Sequence, residues 1–478
     1  MAQKKTVVVL GAGPAGLAAA FTAQKAGYHV VVIEKSDIAG GKGGSRTWKD
    51  FIVDFGPHAY HAMTKEITDF MLDHSGGEMI DVTIEQRLYI MNKPMGYPFN
   101  IKEAITKFTP WLNFRILWDY LWVKVKSLFV ELPRNSFKQY GIANFGRTLY
   151  DICFGLYSER VWSCSADKLS VEFAKRKLPN VSLGSFLLQA ITRKKEENAR
   201  SYLHVRRYMY HKKGIGKVYQ NIADGIAARG GQLVYNASIG KIILARDRRV
   251  TKIVLGAPYG SEIPVDYLIS TIPFDTLLSY LSPGIDSLKG IEEHMPFQHG
   301  VIVNAVINRP KFDSPHWMYL VNKRFHFNRV SEPKNFSEQC GPKDTTLLML
   351  EKICMPDDPA WSWKPEDWRP KVESDLGFFG IKPEEIGEIF ITHMEKAFPF
   401  YLVGYETKKK ELLEEMRTVQ NLVTTGRYGL YLDINMHDAM VLGMESFRYL
   451  TKGKLAEFYE RHEDIPIEKR QVPLNTGK

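Results

Sequence analysis

Near its start, the chain carries a strand, a glycine-rich turn, a helix and a second strand in direct succession. The apolar run Thr6–Leu10 is rich in β-branched residues, which predicts a buried strand. A G-x-G-x-x-G turn follows at 11–16, an alanine-rich helix is predicted over 17–25, and a second strand over 29–33 ends at Glu34. An acid about 20 residues after such a turn is typical of dinucleotide-binding domains, so this segment predicts a Rossmann-like fold.

Each residue of this unit has a physical role in holding a dinucleotide. Gly11 allows the tight turn, Gly13 lets a pyrophosphate approach the backbone, and Gly16 lets the helix pack closely on the strand. Free amides and the positive end of the helix dipole then face the phosphates. Glu34 is predicted to accept hydrogen bonds from both ribose hydroxyls, which favours FAD or NAD over NADP; the alternative is a helix start with chance glycines. Further predicted cofactor contacts are Pro14, Ala15 and Lys35.

Length and composition describe a globular protein of two or three domains with a basic surface. The chain has 478 residues, a net charge of +10 and a pI of about 9.1. No basic block or nucleic-acid motif supports a nucleic-acid partner, whereas an anionic small molecule or an anionic membrane surface is compatible with this charge. Four cysteines without metal-site spacing predict reduced thiols in a cytoplasmic protein and no metal site. No uncharged apolar stretch reaches the roughly 18 residues of a transmembrane helix.

Two further turns follow the predicted ribose-binding acid. A glycine-rich loop over 38–46 is placed to wrap a second part of an extended cofactor. A strand predicted over 51–54 leads into D-x-G-P-H-x-x-H at 54–61. Its two histidines have no third ligand at metal-site spacing, so a loop close to an organic ligand is favoured. The predicted cofactor contacts in these turns are Gly40, Gly41, Lys42, Gly56, Pro57 and His58.

The glycine turn with its acid, G-G-x-x-x-S at 40–45 and D-x-G-P-H-x-x-H at 54–61 together resemble the FAD-dependent group that contains UDP-galactopyranose mutases. That group belongs to the broader superfamily of amine oxidases, protoporphyrinogen oxidases and phytoene desaturases. The resemblance implies FAD as the cofactor and an α/β fold. It also implies a Rossmann-like, glutathione-reductase-like FAD-binding domain, an antiparallel-sheet substrate domain and a helical insertion. In the mutases, the first histidine of D-x-G-P-H-x-x-H lies beside the flavin ring, which implies that role for His58.

Later segments extend the resemblance to the substrate site. The segment 157–162 is similar to Y-[ST]-x-[KR]-x-W, whose tryptophan lines the nucleotide pocket, although a core position is the alternative for Trp162. Arg329 matches an arginine that clamps the substrate diphosphate, and the alternative there is a surface ion pair. Tyr401 matches a tyrosine that faces the substrate, and Tyr208 is also predicted to bind it.

Other segments are similar to the family's later FAD-binding parts. Ile239 begins a strand whose backbone meets the adenine in the family, and Thr271 lies in I-S-T-I-P, which ends near the cofactor. The ending G-R-x-x-x-Y followed by [DN]-M implies that a helix start meets the flavin and that an arginine meets the pyrophosphate. The residues of this ending are Gly426, Arg427, Tyr431, Asn435, Met436 and Ala439.

Because cofactor motifs lie at both ends of the chain, the FAD domain is predicted to be discontinuous. It encloses a mainly helical cap region and a substrate-binding sheet domain. The predicted segments are 1–75, 204–285 and 416–464 for FAD binding, 76–203 for the helical region, 286–415 for the sheet domain and 465–478 for a loosely ordered tail.

The sequence of the enclosed regions also predicts two helices and a loop. A helix is predicted over 384–396 and a connecting loop over 356–368. The aromatic segment 111–132 is predicted to be an amphipathic helix packed on its own domain, with a helix on a membrane surface as the alternative.

The leading hypothesis is a mutase-like enzyme that acts on a nucleotide sugar. In that family, N5 of the reduced flavin attacks the sugar, which isomerises between ring sizes while covalently held. His58, Arg329, Tyr401 and Tyr431 are the predicted catalytic residues. The alternative is an FAD-dependent oxidase or desaturase acting on a glycan precursor, an isoprenoid or an amine. A flavin-binding protein without chemistry is a third class.

Overall fold

The chain divides into two units, each assembled from separate segments. The computed structural model describes residues 4–96, 103, 106–162, 164–177, 207–313 and 315–463. The first unit comprises Met1–Thr83, Val205–Met295 and Glu406–Lys478, and the second comprises Ile84–His204 and Pro296–Tyr405. The predicted tail over 465–478 lies outside the described residues.

Short strands and helices make up the first unit, and long strands dominate the last part of the second. The strands are β1 (Thr6–Leu10), β2 (His29–Ile33), β3 (Ser45–Trp48), β4 (Phe51–Asp54), β5 (Tyr60–His61), β6 (Met79–Val82), β7 (Gln86–Ile90), β8 (Lys93–Gly96), β9 (Tyr208–His211), β10 (Gln232–Val234), β11 (Ile239–Leu244), β12 (Val250–Leu255), β13 (Glu262–Pro264), β14 (Tyr267–Ser270), β15 (Leu281–Ser282), β16 (Phe297–Ile307), β17 (Trp317–Leu320), β18 (Arg329–Ser331), β19 (Thr346–Cys354), β20 (Ile386–Pro399) and β21 (Leu422–Thr424). The α-helices are α1 (Pro14–Lys25), α2 (Lys65–Asp73), α3 (Pro110–Lys126), α4 (Phe137–Phe145), α5 (Arg147–Tyr150), α6 (Leu156–Trp162), α7 (Val171–Lys177), α8 (Gly216–Ala228), α9 (Phe274–Tyr280), α10 (Pro365–Gly377), α11 (Tyr405–Met416), α12 (Gly426–Gly429), α13 (Met436–Thr451) and α14 (Leu455–His462).

The first unit is built on a five-stranded parallel sheet in the order β10-β2-β1-β14-β21. The strand β1 lies at its centre and is almost wholly buried, as its continuous apolar sequence predicts. Strands from the start, the middle and the end of the chain are therefore neighbours. Their carboxyl ends lie at one edge of the sheet, where ligands bind in doubly wound α/β folds.

The second unit contains a seven-stranded sheet in the order β20-β16-β19-β18-β17-β7-β8. Its strands pair antiparallel except for β17 and β7, which are parallel. An apolar cluster that includes Val303, Leu348 and Leu350 packs with the helix α10 through Trp368 and Val372. The predicted combination of a Rossmann-like domain, an antiparallel-type sheet and helices is confirmed.

Two element predictions in this region were wrong. The segment 384–396 is not a helix, because Ile386–Pro399 forms the long strand β20, which pairs with β16. Its sequence ends in helix-favouring residues, but cross-strand packing overrides such local propensity. The loop predicted over 356–368 contains a short 3₁₀ helix at Pro359–Ser362 and the start of α10 at Pro365, where proline suits the first helical turn.

The helix predicted within 111–132 is α3, which begins at Pro110 and ends at Lys126. Thr109 caps its amino end by accepting a hydrogen bond from the amide of Leu112 at 3.3 Å. Among the described residues, no helix combines the length and the apolar character needed to cross a membrane.

Candidate functional site

The first glycine turn is closed by direct backbone packing. Gly11 has a φ of +96°, and a Cβ there would lie 2.6 Å from Oγ1 of Thr271. The Thr271 hydroxyl in turn donates to the carbonyl of Leu10 at 2.8 Å. A Cβ on Gly16 would collide with the carbonyl of Gly11. Gly11 and Gly16 are therefore required for packing between β1, α1 and the end of β14.

Gly13 differs from its two neighbours because an added Cβ would meet none of the described atoms within 4 Å. It is the N-cap of α1 and has no side chain to cap that helix, which then begins at Pro14 and Ala15. The first-turn amides and the helix dipole consequently face open space at the sheet edge. An open cradle of this kind fits a pyrophosphate.

The carboxylate of Glu34 is positioned by both adjoining loops. Its Oε2 accepts from the amide of Ala12 at 2.7 Å, and its Oε1 accepts from the amide of Ser36 at 2.9 Å. The residue is buried at the end of β2, and Lys35 after it is exposed. Each carboxylate oxygen can accept more than one hydrogen bond, so the group fits a ribose diol.

The second glycine loop lies against the first. Gly40 has a φ of +106°, and its amide donates to the carbonyl of Ala12 at 2.8 Å. A Cβ on Gly41 would lie 3.2 Å from Cα of Gly13. Lys42 follows in the short 3₁₀ turn Gly41–Gly43. The structure thus brings the two predicted cofactor loops together.

A segment late in the chain, 426–439, packs against these two glycine loops. A Cβ on Gly426, where φ is +76°, would lie 3.0 Å from Cβ of Ala15, and one on Gly43 would lie 3.1 Å from Sδ of Met436. Asn435 caps α13, and its amide donates to Oδ2 of Asp438 at 3.1 Å. Nε of Arg427 donates to the carbonyl of Ile434 at 3.1 Å, and Ala439 is buried in the first turn of α13.

A buried polar network that the sequence did not indicate joins these loops. Asp54 accepts from Oγ of Ser45 at 2.5 Å and from the hydroxyl of Tyr210 at 2.8 Å. Oγ of Ser45 accepts from the amide of Gly216 at 2.7 Å. A Cβ on Gly214 would lie 2.6 Å from Ser45 Oγ. The available signal was that Ser45 ends the motif G-G-x-x-x-S and Asp54 begins the motif D-x-G-P-H-x-x-H. The two residues are cross-strand partners on β3 and β4.

Replacing Asp54 by asparagine is expected to flatten the pH dependence of folding stability. Burial raises the pKa of Asp54 to about 7. Between about pH 4 and pH 7 the folded protein therefore holds a proton that the unfolded chain has released. Stability from this site is complete below about pH 4 and is lost as the pH rises to about 7, by at most about 4 kcal/mol.

Urea unfolding of the wild type and of Asp54→Asn at several pH values in this window measures the effect. Part of the pH dependence is expected to persist, because burial also raises the pKa of Asp438 to about 7. An unchanged slope of unfolding free energy against pH in Asp54→Asn would contradict the prediction.

The histidine turn carries the predicted contacts Gly56, Pro57 and His58, and also His61, which was not predicted as a site residue. Gly56 has a φ of +108° and directs the chain through Pro57 to His58, which is half-buried. His61 stacks on His437 with ring centroids 5.5 Å apart and meets the edge of Tyr208 at 4.6 Å. Burial lowers the pKa of His61 to about 3 and that of His437 to about 4, so both rings are neutral near pH 7.

The remaining predicted residues of the first unit lie on separate elements. Ile239 begins β11, shortly after Ala237, whose amide donates to the carbonyl of Glu34 at 3.0 Å. Tyr431 is fully buried, has a φ of +51° and packs edge-on against Phe274 at 5.7 Å.

In the second unit, Arg329 forms a two-point ion pair. Nε and Nη2 of Arg329 donate to the two oxygens of Glu351 at 2.8 and 2.6 Å. The two residues are cross-strand partners on β18 and β19, and Glu351 is only 2% exposed. The guanidinium also lies 5.8 Å from the centre of the Tyr319 ring. The contact that is present is an ion pair, but a partly buried one and not the surface pair of the alternative.

Trp162 and Tyr401 lie in one aromatic cluster of the second unit. Trp162 is buried, meets the edge of Phe173 at 4.6 Å and stacks on Phe400 at 6.4 Å. The Tyr401 ring lies 5.3 Å from that of Phe173. A base that stacked on Trp162 would have to displace one of these rings.

The glycine turn, the open helix start and the buried acid define a dinucleotide-binding protein of the Rossmann class. The sequence matches the profile of an NAD(P)-binding Rossmann-like domain at residues 9–73 and that of flavin-containing amine oxidoreductases at residues 93–439. The chain belongs to the family of flavin-containing amine oxidoreductases. It is an FAD-dependent enzyme, and the cradle at Gly13 and the acid Glu34 fit that cofactor.

Solved structures share this fold over nearly the whole chain. A reduced UDP-galactopyranose mutase superposes with a TM-score of 0.80 and 21% identity, and the match covers 96% of this chain and 99% of that one. Putrescine oxidase bound to putrescine superposes with a TM-score of 0.63 and 15% identity, covering 94% and 99%. Protoporphyrinogen oxidase 2 of Arabidopsis thaliana is 29% identical over 199 residues, which span 40% of this chain and 39% of that protein.

Proposed function

We propose that this enzyme isomerises a nucleotide sugar in the manner of UDP-galactopyranose mutase. The observation that carries the proposal is the full-length similarity to that mutase, which covers 99% of its chain. The mutase-like motifs at both ends of the sequence support it, because the loops that bear them converge around Gly13. The basic net charge suits a diphosphate substrate.

The residues of this chain would bind and orient the substrate. Reduced FAD, when bound, supplies a nucleophilic nitrogen for an exchange at the anomeric carbon. Arg329 is the proposed diphosphate ligand, and a diphosphate would compete with Glu351 for its guanidinium. His58, Tyr401 and Tyr431 are proposed to contact the flavin or the sugar, and Trp162 and Tyr208 to contact the remainder of the substrate.

A specific contact favours a second candidate, an FAD-dependent oxidoreductase. The fork of Arg329 is already matched by the buried carboxylate of Glu351, as expected for a structural pair. Membership of the amine oxidoreductase family fits this alternative equally. Its substrate would be an amine, an isoprenoid or a glycan precursor.

Incubation with UDP-galactopyranose and excess dithionite distinguishes the two candidates. The mutase proposal predicts interconversion of the pyranose and furanose forms, resolved by chromatography, and much slower turnover without reductant. The oxidised enzyme with the same sugar is the matched control. Failure to interconvert any of several nucleotide sugars, in protein that retains its flavin, would refute the mutase proposal. Flavin reduction by an amine, or peroxide release, would establish the second candidate.

A further inference from the structure

The helix α3 exposes an apolar face instead of burying it. We call the side chains Trp111, Phe114, Trp118, Leu121, Trp122 and Val125 the aromatic face; their exposed fractions lie between 49% and 70%. They recur at three- and four-residue intervals, so they share one side of the helix. Neighbouring rings stack along it, with centroids 5.7 Å apart for Trp111 and Phe114 and 6.3 Å apart for Phe114 and Trp118.

The opposite side of α3 is fixed to its own unit. Ile116 and Tyr120 are buried there. Oδ2 of Asp119 accepts from the amide of Thr148 at 3.0 Å and also from its hydroxyl. A Cβ on Gly146 would lie 2.9 Å from the amide nitrogen of Tyr120, so the helix packs on the backbone beside it. This attachment determines which face of α3 is outward. In most surface helices the polar face meets solvent, whereas here the apolar face does.

The chain continues the apolar surface beyond the helix. Leu128, Phe129 and Val130 follow the C-cap residue Ser127 and are all exposed. Isolated exposed apolar residues are ordinary on a protein surface, but a contiguous patch of this kind marks an interaction site.

Charge distinguishes among the surfaces that could cover this patch. Arg115, Lys124 and Lys126 are the cations of α3, whereas its acid, Asp119, is hydrogen-bonded on the inward side. A symmetric contact with a second copy would bring these cations against one another. An anionic surface would instead pair with them, and tryptophan side chains are enriched where a bilayer meets water.

We infer that α3 and the apolar tip at 128–130 dock on an anionic lipid bilayer. The aromatic face would enter the boundary between headgroups and acyl chains, while the exposed cations Arg115 and Lys126 remain at the phosphate level. This describes a helix that lies on the membrane rather than one that crosses it. The inference does not depend on which reaction the enzyme catalyses.

Flotation of the holoenzyme with vesicles of phosphatidylcholine and phosphatidylglycerol at a 3:1 ratio tests the inference. The wild type is expected to float with these vesicles, and Trp118→Ser/Trp122→Ser to partition at least about tenfold more weakly. The matched control is Met91→Ser/Val403→Ser, whose parent side chains are 51% and 55% exposed outside the aromatic face and which is expected to float like the wild type. Arg115→Gln/Lys126→Gln is expected to lose about fivefold per cation on these vesicles only, with unchanged partition on pure phosphatidylcholine.

Flavin absorbance and circular dichroism should be unchanged in every variant, because the substituted side chains are exposed. Absence of the wild type from the vesicle fraction would overturn the inference. So would equal partition of the tryptophan variant and its control. A dimer in sedimentation velocity that dissociates in the tryptophan variant, without vesicle binding, would assign the face to a second copy and also overturn it.

Discussion

Gly443→Ala is expected to destabilise the protein by at least about 2 kcal/mol and to release its flavin. Gly443 lies buried in α13, where a Cβ would lie 2.8 Å from the carbonyl carbon of Ala15 and closer still to its oxygen. Since these are backbone atoms, the added methyl group can be accommodated only by moving α13 away from the first turn of α1. That turn presents the open cradle at Gly13, so stability and cofactor affinity should fall together. Urea unfolding and the 450 nm absorbance after gel filtration measure the two effects.

Gly225→Ala provides the matched control because it makes the same change inside another helix. A Cβ on Gly225, in α8, would meet only the flexible end of Arg229, at 3.6 Å. This substitution is expected to stabilise the protein by about 0.5–1 kcal/mol, since alanine is the better helix former. Equal stability and flavin content in the two variants would show that the contact between α1 and α13 does not hold the cradle.

The cofactor region could be predicted from the sequence because its signals are local. The predicted strands Thr6–Leu10 and His29–Ile33 are confirmed. The predicted cofactor glycines stand in short motifs that can be recognised locally, although Gly11 and Gly426 pack against distant segments of the chain. The packing of Gly426 beside Ala15 follows from parallel pairing of β14 with both β1 and β21, which places three strand ends at one edge.

The substrate region was harder to predict because long-range pairing determines its structure. β20 was predicted as a helix, and only its pairing with β16 makes it a strand. Arg329 was recognised, but its partner Glu351 is set by the register of β18 against β19, which no local pattern encodes. His437 was expected only as part of a helix start, yet it stacks on His61 from a distant segment. Composition likewise does not indicate which face of α3 is outward.

Arg329→Ala is expected to destabilise the protein by about 3–5 kcal/mol, whichever reaction the enzyme catalyses. The substitution leaves the carboxylate of Glu351 buried without its counter-ion, and an unpaired buried charge is costly. Replacing both partners, as in Arg329→Met/Glu351→Leu, should restore most of the stability, because apolar residues of similar size tolerate the interior. Chemical unfolding of the single and double variants measures this difference.

The pair Arg309 and Glu385 is the control, because it is also an arginine–glutamate pair at this sheet but is more exposed. Arg309→Ala is expected to be much milder than Arg329→Ala, since solvent screens the remaining charge. If Arg329→Ala lowers the free energy of unfolding as little as Arg309→Ala does, the buried carboxylate of Glu351 does not need its counter-ion for stability. The stable double variant Arg329→Met/Glu351→Leu distinguishes the mutase from the oxidoreductase candidate. The mutase proposal requires this variant to lose nucleotide-sugar binding while keeping its flavin. Unchanged nucleotide-sugar affinity in that variant would mean that the guanidinium of Arg329 only stabilises the pairing of β18 with β19. Another residue would then have to bind the diphosphate.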